Sequence, residues 1–262
     1  MFRWVDDHRC VLGGTSFELR DYDDTEDKKD ASSLVLRKPR YMVERYVALQ
    51  ERFAKANVLE LGIHRGGSTA LLALLLRPKK LVAVDIAPAP SAELTEFLVG
   101  SKLGDSIHPF YGVDQADRTR LGEILSAEFG EEPLDLVIDD ASHLLRETTE
   151  SFNVVFPRLR PGGLFVLEDW SAEHSLEHAI ARDEEVLARI AADTEWRPPP
   201  IPMSRLLLEI VLGAGSAPEV FAHVELMQGW AAVERGKAAL DPISFDVACW
   251  HGYLARRLLG EA

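Results

Sequence analysis

Short, nearly continuous apolar runs recur through the middle of the chain, at Val58–Leu61, Leu81–Val84, Ile107–Tyr111, Leu134–Ile138 and Leu164–Leu167. Runs that lack polar alternation mark strands buried on both faces, as in a parallel sheet. Between them the pattern shifts to a helical period, at about 68–77, 91–99, 116–129 and 146–159. Strand and helix therefore alternate as repeated βα units. The PGG at Pro161–Gly163 predicts the end of the last of these helices and the turn into the fifth strand. Upstream, Tyr41, Val43, Tyr46, Val47 and Leu49 give a helix with one apolar face. Downstream, Val220–Leu226 and Trp230–Glu234 read as two strands joined at MQG, a hairpin. The expected fold is α/β: a doubly wound sheet of five parallel strands closed by a C-terminal antiparallel hairpin.

Residues 1–39 read as a polar N-terminal extension, because Asp21–Asp30 carries six acids and two lysines. The domain proper is expected over 40–262. An insertion at about 171–215 has weak periodicity and a proline knot (Pro198, Pro199, Pro200, Pro202), and it reads as a lid-like segment. The charge balance, 29 basic against 43 acidic residues, gives −14 over 262 residues. Such a charge repels phosphate backbones and anionic membrane surfaces, so neither nucleic acid nor membrane is an expected partner. The two cysteines, Cys10 and Cys249, form no metal-binding or redox spacing. The longest apolar run, Ala70–Leu76, is far below the ~20 residues that span a bilayer. With no apolar leader in MFRWVDDHRC, the expected setting is reducing and cytoplasmic.

Candidate chemistry begins in the loop after the first of the five strands. VLELGIHRGGSTALLALLL reads as strand, glycine-rich turn and helix. Gly62, Gly66 and Gly67 permit a tight turn and a close ligand, while Ser68 and Thr69 suit the capping of the helix that follows. Asp85 ends the second strand, near the ~20-residue spacing at which an acid meets a ribose hydroxyl. The order GxxxGG, with Glu60 just ahead, departs from the dinucleotide fingerprint GxGxxG and favours a nucleoside ligand without pyrophosphate. Tight packing alone is the alternative explanation of the glycines, and the placement of Asp85 weakens it.

Acids gather at two later strand ends, Asp139-Asp140-Ala141-Ser142-His143 and Glu168-Asp169-Trp170. Carboxylates crowded together call for a cation, and hard oxygen ligands suit Mg²⁺ or Ca²⁺. Successive strand residues point oppositely, so one of Asp139 and Asp140 is expected to face away. The expected ligands are Asp140, Glu168 and Asp169. His143, three residues past Asp140, is placed to take a proton from a hydroxyl held there, since imidazole titrates near neutrality. An exposed loop histidine and solvated strand ends are the alternatives. Trp170 reads equally as a sugar-stacking face or as core.

VLELGIHRGGST, VDIA, YGVDQAD, IDDASH and RPGGLFVLEDW together resemble the class I S-adenosylmethionine-dependent methyltransferases. More narrowly they resemble the Mg-dependent sugar O-methyltransferases of the macrocin and mycinamicin type, with cephalosporin-tailoring relatives. The resemblance covers about 42–170 and implies a Rossmann-like methyltransferase sheet, S-adenosylmethionine and Mg²⁺ as cofactors, and transfer of a methyl group to a sugar hydroxyl. It implies Asp140, Glu168 and Asp169 as metal ligands and His143 as the base. Glu60, Gly62 and Asp85 match cofactor contacts, with Gly66, Ser68 and Asp139 taken beside them. Asp114 and Gln115 fall at the adenine end. The acceptor class is an antibiotic glycoside or an oligosaccharide, including a methylmannose-type saccharide, and a homo-oligomer is compatible with the resemblance. A catechol-type O-methyltransferase is the rival substrate class. A non-catalytic cofactor-binding regulatory or partner subunit is the rival of a different kind.

Overall fold

The computed structural model describes residues 1–20, 33–101, 103–172, 174, 201–250, 252 and 259. Four short strands come first: β1 (Arg3–Trp4), β2 (Arg9–Leu12), β3 (Thr15–Leu19) and β4 (Ser33–Leu36). Then follow α1 (Arg40–Phe53), β5 (Asn57–Leu61), α2 (Gly67–Leu76), β6 (Lys80–Asp85), α3 (Ala92–Gly100) and β7 (Ile107–Tyr111). The chain continues through α4 (Arg118–Phe129), β8 (Leu134–Asp139), α5 (Leu145–Val155) and β9 (Leu159–Glu168). Further on come α6 (Ser204–Ser216), the hairpin β10 (Phe221–Met227) and β11 (Trp230–Arg235), and a 3-10 turn at Val247–Cys249.

Strands β5 to β11 form one sheet in the order β10-β11-β9-β8-β5-β6-β7. Strand β6 pairs in parallel with β5 and with β7, Leu81 standing opposite both Val58 and Ile107. Strand β11 is antiparallel to both β9 and β10. The expected mostly parallel α/β sheet with its closing hairpin is therefore present. One boundary differs: α5 ends at Val155, a 3-10 turn containing Pro157 follows, and the PGG lies inside β9 rather than before it. Pro157 ends the regular helix because it has no amide hydrogen to donate.

Residues 1–39, expected to be a polar extension, carry a sheet of their own in the order β1-β2-β3-β4. Gly13 and Gly14, both at positive φ, close a two-residue turn that sets Leu12 opposite Thr15. Cys10, Leu12, Phe17 and Leu19 alternate onto one buried side. Burial pushes the Cys10 thiol up to about 11, which keeps it unreactive. Both cysteines are free, and Cys249 is exposed. The acidic run Asp21–Asp30, Pro198, Pro199 and Pro200 of the proline knot, and most of the expected lid lie outside the described residues. Among the described residues, no helix is long and apolar enough to cross a membrane.

The described chain divides into two compact units, with α4 and β8 each passing from one to the other. In the first, α2 is buried almost all round, as a helix reading GSTALLALLL must be. Its first turn runs against β4 so closely that a Cβ on Gly67 would lie 2.0 Å from the Val35 carbonyl oxygen. In the same unit the Glu128 carboxylate meets His108 Nδ1 at 2.6 Å and Lys80 Nζ at 3.0 Å. The second unit is built on aromatic rings. Phe152 stacks on Phe156 at 4.7 Å and meets the edge of Phe165 at 4.9 Å, and Phe156 stacks on Phe221 at 5.3 Å.

Two outcomes follow from these contacts. Gly67→Ala puts a methyl group into a backbone oxygen, and overpacking of this kind costs roughly 1–3 kcal/mol. Thermal unfolding should show that loss, whereas Gly122→Ala, where a Cβ meets nothing within 4 Å, should show none. Partial burial raises the Glu128 pKa, but hydrogen bonds and charge from Lys80 and His108 outweigh it and hold the carboxyl below its ordinary value. A depressed carboxyl pKa stabilises the fold above the unfolded-state value of ~4.3, and that contribution disappears as pH falls through the folded-state value. Unfolding measured from about pH 7 to about pH 3 should therefore show a flatter acid decline for Glu128→Gln than for the parent chain.

Candidate active site

In the first unit, all five residues of β5 are buried, and Glu60 is 0% exposed. The chain then leaves the sheet through Gly62, at φ 94°, whose amide still donates to the Val84 carbonyl at 2.9 Å. The next two amides have no strand opposite them and turn to a side chain instead. Asp85 Oδ2 accepts from both Ile63 and His64, each at 2.7 Å, and its Oδ1 accepts from Ala87 at 2.7 Å. The acid read from spacing as a ribose ligand is thus also the clamp of the glycine-rich loop. His64 is held at φ 49°, a left-handed conformation uncommon outside glycine.

The two glycines that follow are required by the chain's own neighbours. A Cβ on Gly66 would lie 2.4 Å from Leu94 Cβ on α3, and Gly67 abuts β4 as described. Arg65 is tied to the same helix, its guanidinium bonding Glu93 at 2.7 and 3.0 Å, while Ser91 Oγ donates to the Arg65 carbonyl. Capping by Ser68 or Thr69 does not occur. The helix starts at Gly67 with Gly66 as its cap and no side-chain bond, so both residues already lie inside the first turn. Ser68 is half-buried there, and Asp114 is exposed beyond β7. Burial raises the Tyr111 hydroxyl pKa, and the charges of Asp85 and Glu60 raise it further, so this loop sits in a negative field.

The second unit holds the other expected site residues. Asp139, the last residue of β8, is 1% exposed, and Asp140 is half-buried. The two face different surroundings, as alternation along a strand requires. Burial, reinforced by the charge of Asp140, pushes the Asp139 carboxyl up to about 7 against the pull of its Ser151 hydrogen bond. Ser151 Oγ donates to Asp139 at 3.1 Å, and Gln115 Nε2 lies 3.3 Å from the same oxygen. Gln115, 5% exposed, also donates to Ser151 Oγ at 3.1 Å and accepts the Ser142 amide at 2.9 Å.

Asp140, His143 and Asp169 come together, each offering one ligand atom within 4.8 Å of the others. His143 Nε2 lies 3.8 Å from Asp140 Oδ1. Glu168 stands outside that group, 1% exposed at the end of β9, with Trp230 opposite it on β11. His143 (φ 56°) and Asp169 (φ 52°) both adopt the left-handed conformation. For such residues this costs on the order of 1–3 kcal/mol each, and residues so held gather at functional sites. Asp169 is fixed there by its amide, which donates to the Gly229 carbonyl at 2.9 Å. Trp170 is anchored through Nε1 to the Met227 carbonyl at 2.7 Å. Two carboxylates at this separation fit a divalent cation that keeps several waters, with the His143 imidazole beside them.

Ser142, Thr148 and Ser151 were not among the residues expected from sequence. Their signal was present. Thr148 and Ser151 are three apart on α5 and fully buried, which puts polar groups on the face where that helix should be apolar.

The methyltransferase-domain family matches residues 59–170. Among curated relatives, demethylmacrocin O-methyltransferase of Streptomyces fradiae is 50% identical over 60 residues, covering 22% of this chain and 14% of that protein. The 8-demethyl-8-(2-methoxy-alpha-L-rhamnosyl)-tetracenomycin-C 3'-O-methyltransferase of Streptomyces olivaceus is 32% identical over 129 residues, covering 46% of this chain and 30% of that protein. The chain thus spans less than a third of the length of these two relatives. A solved O-methyltransferase from Bacillus cereus, in complex with SAH, is similar in fold. It has 18% identity and a TM-score of 0.51, covering 76% of this chain and 82% of that one. Residues 59–170 thus match the methyltransferase-domain family, and over that segment the chain's resemblance to the class I S-adenosylmethionine-dependent O-methyltransferases is borne out.

Proposed function

We propose that the chain is an S-adenosylmethionine-dependent, divalent-cation-dependent O-methyltransferase whose acceptor is a sugar hydroxyl of a glycoside or oligosaccharide. The observation that carries this reading is the grouping of Asp140, His143 and Asp169 at the ends of two strands of a methyltransferase domain. The curated relatives, named for demethylmacrocin and for a rhamnosyl tetracenomycin, support the acceptor class. A bound divalent cation would lower the pKa of an alcohol hydroxyl, and S-adenosylmethionine would supply the methyl group from its sulfonium.

The residues divide the work. Asp140 and Asp169 offer carboxylate oxygens to the cation, and Asp140 also faces the His143 imidazole. His143 accepts the hydroxyl proton at Nε2. The left-handed backbone at 143 and 169 fixes where these two side chains start, so little reorganisation is left to the reaction. At the loop after β5, Glu60 and Asp85 oppose phosphate and favour a ligand bearing positive charge, as the sulfonium and α-amino groups of S-adenosylmethionine do. Asp85 also holds the loop in shape through three amides.

The test is methyl transfer measured by mass across a panel of glycosides, oligosaccharides and catechols, with S-adenosylmethionine and Mg²⁺. A glycoside or oligosaccharide should be methylated. Excess chelator should abolish turnover, and His143→Ala should lower it by roughly 10²- to 10⁴-fold. Full turnover in chelator, or methylation of catechols alone, would overturn the reading. Cofactor binding with no transfer to any acceptor would point instead to a non-catalytic subunit.

A further inference from the structure

The side chain of Gln115 lies next to the cation group without being part of it. It is buried, sits ahead of α4, and uses both ends of its amide. The carbonyl oxygen accepts the Ser142 amide at 2.9 Å, in the middle of the Asp140–His143 turn. The nitrogen donates to Ser151 Oγ at 3.1 Å and lies 3.3 Å from the Asp139 carboxylate. Every one of these partners belongs to the frame of the turn: Asp139 precedes it, Ser142 lies within it, and Ser151 is on the helix that follows. Ser151 closes the frame by donating to Asp139 at 3.1 Å, and its Oγ lies 3.0 Å from the Thr148 carbonyl oxygen.

We infer that Gln115 is a positioning residue for the cation group. It acts through Ser142 to set the turn that carries Asp140 and His143, rather than serving as the adenine contact that its place in YGVDQAD implied. The inference rests on the proposed function, because it takes Asp140 and Asp169 as cation ligands. Its physical basis is that a buried side-chain acceptor fixes the amide it holds, here in the middle of a turn that carries a left-handed histidine. Groups that orient ligands from behind in this way typically alter metal affinity about 10- to 100-fold when removed. A contact to adenine would show itself in cofactor affinity instead.

The experiment measures two affinities on the full chain, Mn²⁺ by the loss of its free-ion electron paramagnetic resonance signal and S-adenosylhomocysteine by calorimetry. Gln115→Leu removes both ends of the amide. Gln115→Glu keeps the acceptor for Ser142 but loses the donor to Ser151 and Asp139, and it separates the two ends of the amide should the leucine variant fold poorly. Ser151→Ala removes a neighbouring bond without touching Ser142. Gln115→Leu should weaken Mn²⁺ binding about 10- to 100-fold while S-adenosylhomocysteine affinity stays within about 2-fold. Ser151→Ala should leave Mn²⁺ affinity nearer to the parent, and Gln115→Glu should bind Mn²⁺ more tightly than Gln115→Leu. Unchanged Mn²⁺ affinity in both Gln115 variants would overturn the inference alone. A drop in S-adenosylhomocysteine affinity with Mn²⁺ affinity preserved would do the same and restore the adenine role. Absence of Mn²⁺ uptake by the parent chain would overturn the proposed function and this inference with it.

Discussion

Backbone amides that leave the carboxyl end of a parallel strand lose their ladder partners and cannot be left unpaired in a partly buried place. This constraint organises the candidate loop in each of the two units. After β5 the amides of Ile63 and His64 turn to Asp85, which also takes Ala87. After β8 the amide of Ser142 turns to Gln115. In each case the acceptor comes from a segment distant in sequence, so the loop is fixed by the fold and not by its own turn propensity. A carboxylate shared by three amides and an amide shared by three partners are small devices. Without them neither loop would have a defined shape to present to a ligand.

Most of the central sheet was legible from the order of apolar runs. Strands β5 to β8 and the hairpin appear within a residue or so of where the pattern put them, because strands buried on both faces leave an unmistakable mark in a sequence. The N-terminal sheet was not recognised, although its signal was there in two neighbouring glycines flanked by alternating Cys10, Leu12, Phe17 and Leu19. The acids of Asp21–Asp30 outweighed it: composition was read over the whole segment, and a short half-buried strand contributes little to an average. The PGG was misplaced for a related reason, since proline and glycine signal a turn more strongly than an irregular strand start.

The candidate site was legible by residue type and less so by orientation. Alternation separated Asp139 from Asp140, and the same rule applied to Glu168 and Asp169 would have set the buried strand residue apart from the one just beyond it. The glycine-rich loop carried two messages at once. Its glycines were read for a ligand, yet Gly66 and Gly67 are demanded by Leu94 and Val35. Spacing alone does not tell a glycine needed by a neighbouring chain from one needed by a bound molecule.

The left-handed backbone at His143 and Asp169 has a consequence for how this sequence can vary. A glycine would occupy either position with less steric resistance, and at an ordinary turn drift toward glycine would be expected to strengthen the fold. The chain keeps an imidazole and a carboxylate there instead. Local stability and chemistry therefore pull these two positions in opposite directions. A library selected only for heat resistance would be expected to erode the site there first.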